Sequence, residues 1–444
     1  MVFSGFDFIF RFFPVFLILY YLVPLKYRNS LLFLGSLVFY ALGEPVYVGL
    51  LFLSALVNFL LAGRIPRKDG SRSRIVTAAG ILYNIGVLAA FKYTPFLTLP
   101  IGISFYTFQA VSYLLDVYRG VLEPEKRFDR FATYLCMFPQ LTAGPLVGYE
   151  QMQGQLLSRS YSPRMVEKGL RTFVLGLASK VLLANRLGLL WNEIQTIGFK
   201  SISTPMAWLG AFTFSLEIYF DFLGYSLMAV GIGRMLGFYL PKNFHQPYLA
   251  KSVTEFYRRW HMTLGAWFRR YVYIPLGGNR EGTWKTCRNL LAVWLLTGIW
   301  HGAGWNFLLW GGILGFLIIL EKLIWQKWLE KSHVLCRLYI WFVIPLSWML
   351  FAITDLQELS IYLGRMFGLG GAFACANSAD FVRIIRDCWP LLSLGFLFCT
   401  PLPGKLYRLI KNRFIEAVVL LLVFWLCIYF LYVEGANPFL YYRF

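Results

Sequence analysis

Charge is scarce in this chain of 444 residues: only 14% are Asp, Glu, Lys or Arg, where a soluble domain carries about a quarter. Acidic groups are the scarcer kind, 22 against 42 basic ones, for a net charge of +20. No long hydrophilic stretch interrupts the apolar segments, so there is no separate soluble catalytic domain. The seven cysteines (136, 287, 336, 375, 388, 399 and 427) form no C-x-x-C pair. Most lie in or beside apolar runs and read as small core residues. Four histidines without H-E-x-x-H or other ligand spacing exclude a zinc site. Gly277-Gly278 is neither a Walker nor a Rossmann loop, and no G-x-S-x-G offers a serine nucleophile. No basic leader precedes the first apolar stretch, Arg11 sits inside it and no small-residue cleavage site follows. That stretch is expected to stay as a membrane helix. Neither a fixed-period repeat nor a low-complexity tract occurs.

What is present is apolar: 58% of the residues are hydrophobic and 19% aromatic. In a soluble protein the basic excess would point to nucleic acid. Here the basic residues form short clusters between apolar runs, as in the cytoplasmic loops of a polytopic membrane protein, and a nucleic-acid partner is excluded. Residues 1–444 are expected to form one all-α integral-membrane domain in a lipid bilayer. Spanning helices need about 20 apolar residues. They are predicted at 6–25, 30–42, 46–63, 75–92, 99–118, 172–191, 205–233, 338–354, 389–404 and 415–433. Basic clusters include Arg64/Arg67/Lys68/Arg72/Arg74, Arg159/Arg164/Lys168/Arg171 and the stretch Arg234 to Arg288. Placing all of them in the cytoplasm makes the passes alternate, with both termini outside. Two segments must then leave and return on one side: 131–147, broken by Pro139, Gly144 and Pro145, and 289–320. Such backbone is tolerated at membrane depth only around protein or a water-filled cavity, so a polar central cavity is expected.

Polar chemistry concentrates in 251–310. Residues 252–269 read as one amphipathic helix in or near the cytoplasmic interface, with Phe256, Trp260, Leu264 and Trp267 as its apolar stripe. Glu255 and Arg259, four apart, are placed to pair, and Tyr257 and His261 share the stripe's edge. His301 sits at the turn of the suspected hairpin 289–320. An ionisable group at membrane depth is a functional candidate by default, and a neutral imidazole suits general-base work. A satisfied core histidine is the plain alternative. For His261 the plain alternative is a ring snorkelling towards water, while His245 and His333 read as solvated. Asp221 is the second intramembrane charge, with Glu217 one turn earlier. Its structural reading is an ion pair with Arg234 or Lys180. Gln140, Thr142, Trp300, Asn306 and Asp116 are candidates for the cavity wall.

The run EFYRRWHMTLGAWFRRYVYIPLGGNR followed by GIWHGAGWNFLLWG resembles the membrane-bound O-acyltransferase (MBOAT) family, in its bacterial alginate O-acetyltransferase branch. LPIGISFYTFQAVSYLLDVYRG, MFPQLTAGPLVGYE, EIYFDFLGYSLMAVGIGRMLGF and the terminal ANPFLYYRF also look like family blocks, in family order, so the resemblance covers nearly the whole chain. Residues 205–320 carry its core motifs. It implies a bundle of about 10–12 transmembrane or re-entrant helices around a central funnel. It also implies that His301 is the active-site histidine and His261 its polar partner. A cytoplasmic acyl thioester, acetyl-CoA, would supply the acyl group, with no bound cofactor. The hydroxyl acceptor would lie outside or on a polysaccharide-modifying partner protein, and the chain in the bacterial cytoplasmic membrane. Two departures change the cavity's charge. The family's D-F-S-G-Y-S-D block has Leu223 and Leu227 at its Ser and second Asp positions, and its R-D-Y has become Arg269-Arg270-Tyr271. The reading is thus a membrane O-acetyltransferase of envelope or exopolysaccharide hydroxyls. His301 acts as base, and Arg258, Arg259, Arg269, Arg270, Arg280 and Lys285 attract the donor's phosphates. D-alanyl transfer to teichoic acid, a transporter and a non-catalytic scaffold remain the alternatives.

Overall fold

The computed structural model describes every residue except 67–69, 143, 370–378, 436–439 and 441–444, and at residue 330 the backbone only. Arg67, Lys68, Cys375 and most of the terminal block ANPFLYYRF therefore lie outside the described residues. Among the described residues all regular elements are helical, and the one extended pairing is an isolated bridge between Pro66 and Arg72. Among the described residues, seven helices are long and apolar enough to cross a membrane: Pro45–Gly63, Arg74–Tyr93, Pro163–Ile197, Thr204–Met235, Trp305–Leu329, His333–Ala352 and Arg413–Glu434. Most predicted passes fall on helices within a few residues. The pass predicted at 389–404 instead runs Ala379–Phe398, ending short of Pro401, which cannot continue a helix.

The chain packs as two compact units, the first mainly Met1–Leu177 with Tyr225–Lys242, the second mainly Ala178–Gly224 with Asn243–Phe430. In the first unit Phe3, Phe8, Phe12, Phe16 and Phe39 gather around Phe138 with ring centroids 5.3–6.3 Å away. This cluster encloses the break predicted within 131–147. Helix Phe128–Cys136 stops at Met137 and a short turn, Phe138–Leu141, follows. The Phe138 backbone N–H donates to Ser36 Oγ (3.1 Å), so the interrupted ladder leaves no orphan there. Two amides, Asn58 and Asn84, exchange hydrogen bonds of 3.1 and 2.7 Å across otherwise apolar helices. Each also donates to the carbonyl four residues back. Inside a bilayer such a closed polar pair holds helices together at no unsatisfied cost.

In the second unit the segment 289–320 is a helical hairpin, Thr283–His301 and Trp305–Leu320, turning at Gly302–Gly304. Its arms exceed the sequence expectation, and the second continues to Leu329, long enough to cross a membrane by itself. Glu321 is tolerated within this longer helix because its carboxylate is buried and satisfied. It accepts from the Val253 and Thr254 backbone N–H groups (2.5 and 2.9 Å) and from Thr254 Oγ (2.6 Å). Glycine sets the distance between the arms. A Cβ on Gly311 would stand 2.4 Å from the Trp294 carbonyl oxygen, and one on Gly298 2.4 Å from that of Phe307. Gly312, one position on, meets only the flexible end of Leu295 at 3.7 Å. Gly311→Ala is accordingly expected to destabilise by about 1–3 kcal/mol, as overpacking does. Gly312→Ala should melt like the parent, and thermal unfolding of the two variants in one detergent checks the contrast.

Candidate active site

His301 is the last residue of helix Thr283–His301 and is buried at 6% exposure. Three rings enclose its imidazole: Trp300, Trp310 and Phe351, with centroids 4.5, 5.1 and 5.0 Å away, the last two edge-on. The C-terminal end of a helix carries partial negative charge, so the ring stands beside the last carbonyls of its own helix. Gly302 follows in extended conformation, and a side chain there would collide with the Phe307 ring at 2.2 Å. Absence of a side chain at 302 therefore lets the chain reverse immediately behind the histidine.

Asn306 is fully buried and fastens the hairpin, its Nδ2 donating to the carbonyls of Leu350 and Phe351 at 3.2 and 3.3 Å. Phe351 also packs on the His301 ring, so the amide ties the turn to one wall of the histidine's pocket. Asn306→Leu keeps the volume and removes both bonds. It is expected to lower unfolding stability by about 1–3 kcal/mol, and the midpoint in detergent measures it.

The predicted helix 252–269 is broken at the second candidate. It divides into Val253–Arg259 and Met262–Phe268, with Trp260 extended and His261 left-handed at φ 43°. Pairing with 243–245 compensates for the break: His245 N–H donates to the Arg259 carbonyl and Met262 N–H to that of Asn243, both at 2.9 Å. An amphipathic period cannot reveal this, because Phe256, Trp260 and Leu264 are buried on either side of the break. Tyr257 consequently packs on Trp294 (4.6 Å), while the buried His261 ring stands edge-on to Phe222 (4.7 Å). The Asn243 Oδ1 accepts from Thr263 Oγ (2.7 Å) and lies 3.2 Å from His261 Nδ1. Assigning that atom as oxygen makes Nδ1 the protonated nitrogen and leaves the lone pair on Nε2. His261 lies outside the spanning helices, and burial pushes its pKa down to about 3, so the ring is neutral. Trp260, beside it, contacts Trp348 (4.9 Å), and Trp348 contacts Trp310 (6.2 Å). An aromatic series thus connects the two histidine segments.

Asp221 is salt-bridged to Lys180 at 2.5 Å, with the side chains 2% and 3% exposed. Of the two cations expected for this role, the structure selects Lys180. It lies in a π-helical turn, Ser179–Ala184, that interrupts the regular helix. Leu223 and Leu227 are half-buried. Arg270 is also half-buried, its guanidinium over the Tyr271 ring. Gln140 belongs to the first unit and is buried there. Of the cations assigned to donor phosphates, Arg258, Arg269 and Arg280 are exposed. Arg259 is held by Glu255 (2.5 Å), the pair predicted from spacing, and Lys285 by Glu281 (2.8 Å). His245 and His333 are exposed, as expected. Sequence reasoning did not single out Asn243 or Glu321, whose partners lie 18–20 and 67–68 residues away. No group of three or more potential metal ligands occurs among the described residues.

The MBOAT, membrane-bound O-acyltransferase family, profile matches residues 127–359, a stretch that includes both histidines. The chain is 36% identical to a probable alginate O-acetylase, AlgI, of Azotobacter vinelandii, covering 83% of this chain and 79% of that one. Against the probable AlgI of Pseudomonas aeruginosa the identity is 37%, over 83% and 75%. A peptidoglycan O-acetyltransferase of Helicobacter pylori is 30% identical over 98% and 96%. On these matches and its apolar helices, this multi-pass bacterial membrane protein belongs to the membrane-bound O-acyltransferase family, in its alginate O-acetylase-like branch, and is an O-acyltransferase.

Proposed function

We propose that this O-acyltransferase moves an acetyl group from a cytoplasmic thioester, acetyl-CoA, to a hydroxyl acceptor destined for an extracytoplasmic polysaccharide. A partner protein outside the cytoplasmic membrane completes delivery. The observation that carries this reading is the burial of His301 at a helix C-terminus, inside a ring of aromatic side chains. In the proposed reaction His301 takes the proton of the acceptor hydroxyl as its oxygen attacks the thioester carbonyl. The acyl–oxygen bond forms, the carbon–sulfur bond breaks and the leaving thiolate takes up the proton that His301 returns, which restores the neutral imidazole. His261, neutral and fixed by Asn243, orients the reacting groups or stabilises the developing oxyanion. Arg258, Arg269 and Arg280 attract the donor's phosphates by long-range charge, a role in which Arg259 is already committed to Glu255. Asp221 supports the wall of the site through Lys180, and Gln140 contributes to the first unit.

The acyl group is identified by releasing base-labile acids from purified envelope polysaccharide of a parent and a deletion strain. Loss of acetate in the deletion, restored by the intact chain, is the expected result. Unchanged acetate with loss of ester-linked D-alanine would replace acetyl by D-alanyl transfer.

A further inference from the structure

The first unit contains a hollow of about 620 Å³ whose polar lining is cationic. Arg164, Lys168 and Arg171 recur at helical spacing and put three positive groups on one face of helix Pro163–Ala178. Arg234, near the end of helix Thr204–Met235, is the fourth. It is brought there by a crossing that only glycine permits. A Cβ on Gly169 would stand 2.7 Å from the Gly231 carbonyl oxygen, and one on Gly231 2.6 Å from that of Gly169. The two backbones therefore touch one residue from Lys168 and three residues from Arg234.

Arg171 has a carboxylate neighbour in Glu167 (3.2 Å), but among the described residues no carboxylate pairs with Arg164, Lys168 or Arg234. The half-buried Arg159 of the same unit is, by contrast, engaged through all three guanidinium nitrogens. Arg159 donates to Tyr161 Oη, to the Gln155 carbonyl and to Asn29 Oδ1. Arg164, Lys168 and Arg234, with Arg171 shared with Glu167, surround a concave, partly enclosed space; like charges there repel one another, and the repulsion is relieved by an anion carrying several oxygens. Ordinary positive-inside charge needs neither the cavity nor the glycine crossing, since it acts from scattered loop positions. The hydroxyls of Ser160 and Tyr239 also line the space and are suited to phosphate oxygens.

We propose that this hollow is a binding site for a phosphate-bearing ligand, held by Arg164, Lys168, Arg171 and Arg234. The site is independent of which acyl group is transferred. The same chemistry serves a soluble phosphorylated molecule or the headgroup of an anionic phospholipid, and the experiment separates them. The purified full chain in non-ionic, phosphate-free detergent is titrated with inorganic pyrophosphate and with CoA. Phosphatidylglycerol retained from mixed micelles is measured by native mass spectrometry. All measurements are repeated on Lys168→Gln/Arg234→Gln. The expected result is binding to the parent that weakens by about tenfold or more in the double variant. The ligand-free melting temperature should be unchanged or raised, because repulsion has been removed. Competition by CoA assigns the site to a soluble ligand, and retention of phosphatidylglycerol without such competition assigns it to lipid. Equal behaviour of parent and variant towards all three probes overturns the proposal. So does a ligand-free melting temperature that falls in the variant, which would make the charges structural.

Discussion

His301→Ala is expected to lower turnover by about 10²–10⁴-fold, the range over which a positioned general base contributes. Donor KM should change far less, because the cations proposed to attract the donor lie on 258–280. The effect is chemical and not a matter of packing if His301→Gln, which refills the space between Trp300, Trp310 and Phe351, is equally inactive. The check is single-turnover transfer from radiolabelled acetyl-CoA in membranes matched for protein abundance, alongside a melting curve for each variant. Turnover within about threefold of the parent in folded His301→Gln would remove the base from this position. Asn306→Leu offers a useful contrast, since it loosens the turn without touching the imidazole chemistry. It should melt earlier, and any activity it keeps should show the parental pH profile.

Breaking the Lys180–Asp221 pair is expected to cost about 3–5 kcal/mol, enough to leave little folded protein in a domain of ordinary stability. Both partners are almost completely buried, so removing one charge strands the other where water cannot reach it. The cost therefore comes mainly from the orphaned charge. Asp221→Leu should consequently be worse than the paired change Lys180→Met/Asp221→Leu, which leaves no charge behind and should recover most of the stability. A double-mutant cycle on detergent melting temperatures reads the coupling directly. Single and double variants that melt alike would show that the pair is not coupled. Glu217, one turn earlier and also buried, is accommodated because Gly188 has no side chain: a Cβ there would meet its Oε1 at 2.7 Å. Gly188→Ala should therefore be destabilising in the same assay.

Much of the architecture was legible because membrane helices are specified locally. An apolar run long enough for the bilayer must satisfy its own backbone, and Val48–Gly63, Arg74–Tyr93 and Arg413–Glu434 begin and end close to where hydropathy changes. The Glu255–Arg259 pair was legible for the same reason, since its geometry follows from a spacing of four. His301 stood out as an ionisable group between apolar arms, a local property too. What failed were inferences that let a local pattern stand for a long-range one. The amphipathic period of 252–269 runs unbroken through Trp260 and His261, yet the backbone breaks there because 243–245 supplies alternative hydrogen bonds. The predicted segment 289–320 stopped where the helix continues through Glu321, whose carboxylate accepts from amide groups 67 and 68 residues away.

By itself, then, the sequence determined a polytopic helical protein, the approximate position of most helices and the histidine on which its chemistry is proposed to turn. These depend on interactions within about one helical repeat. Only the tertiary structure decided that Lys180 is the partner of Asp221, that Asn306 is a fastening and that His261 sits in a left-handed kink beneath Asn243. It also decided that Arg234 joins three cations from another helix. Each depends on residues far apart in the chain, and buried polar groups accept whichever distant partner the packing brings within about 3 Å.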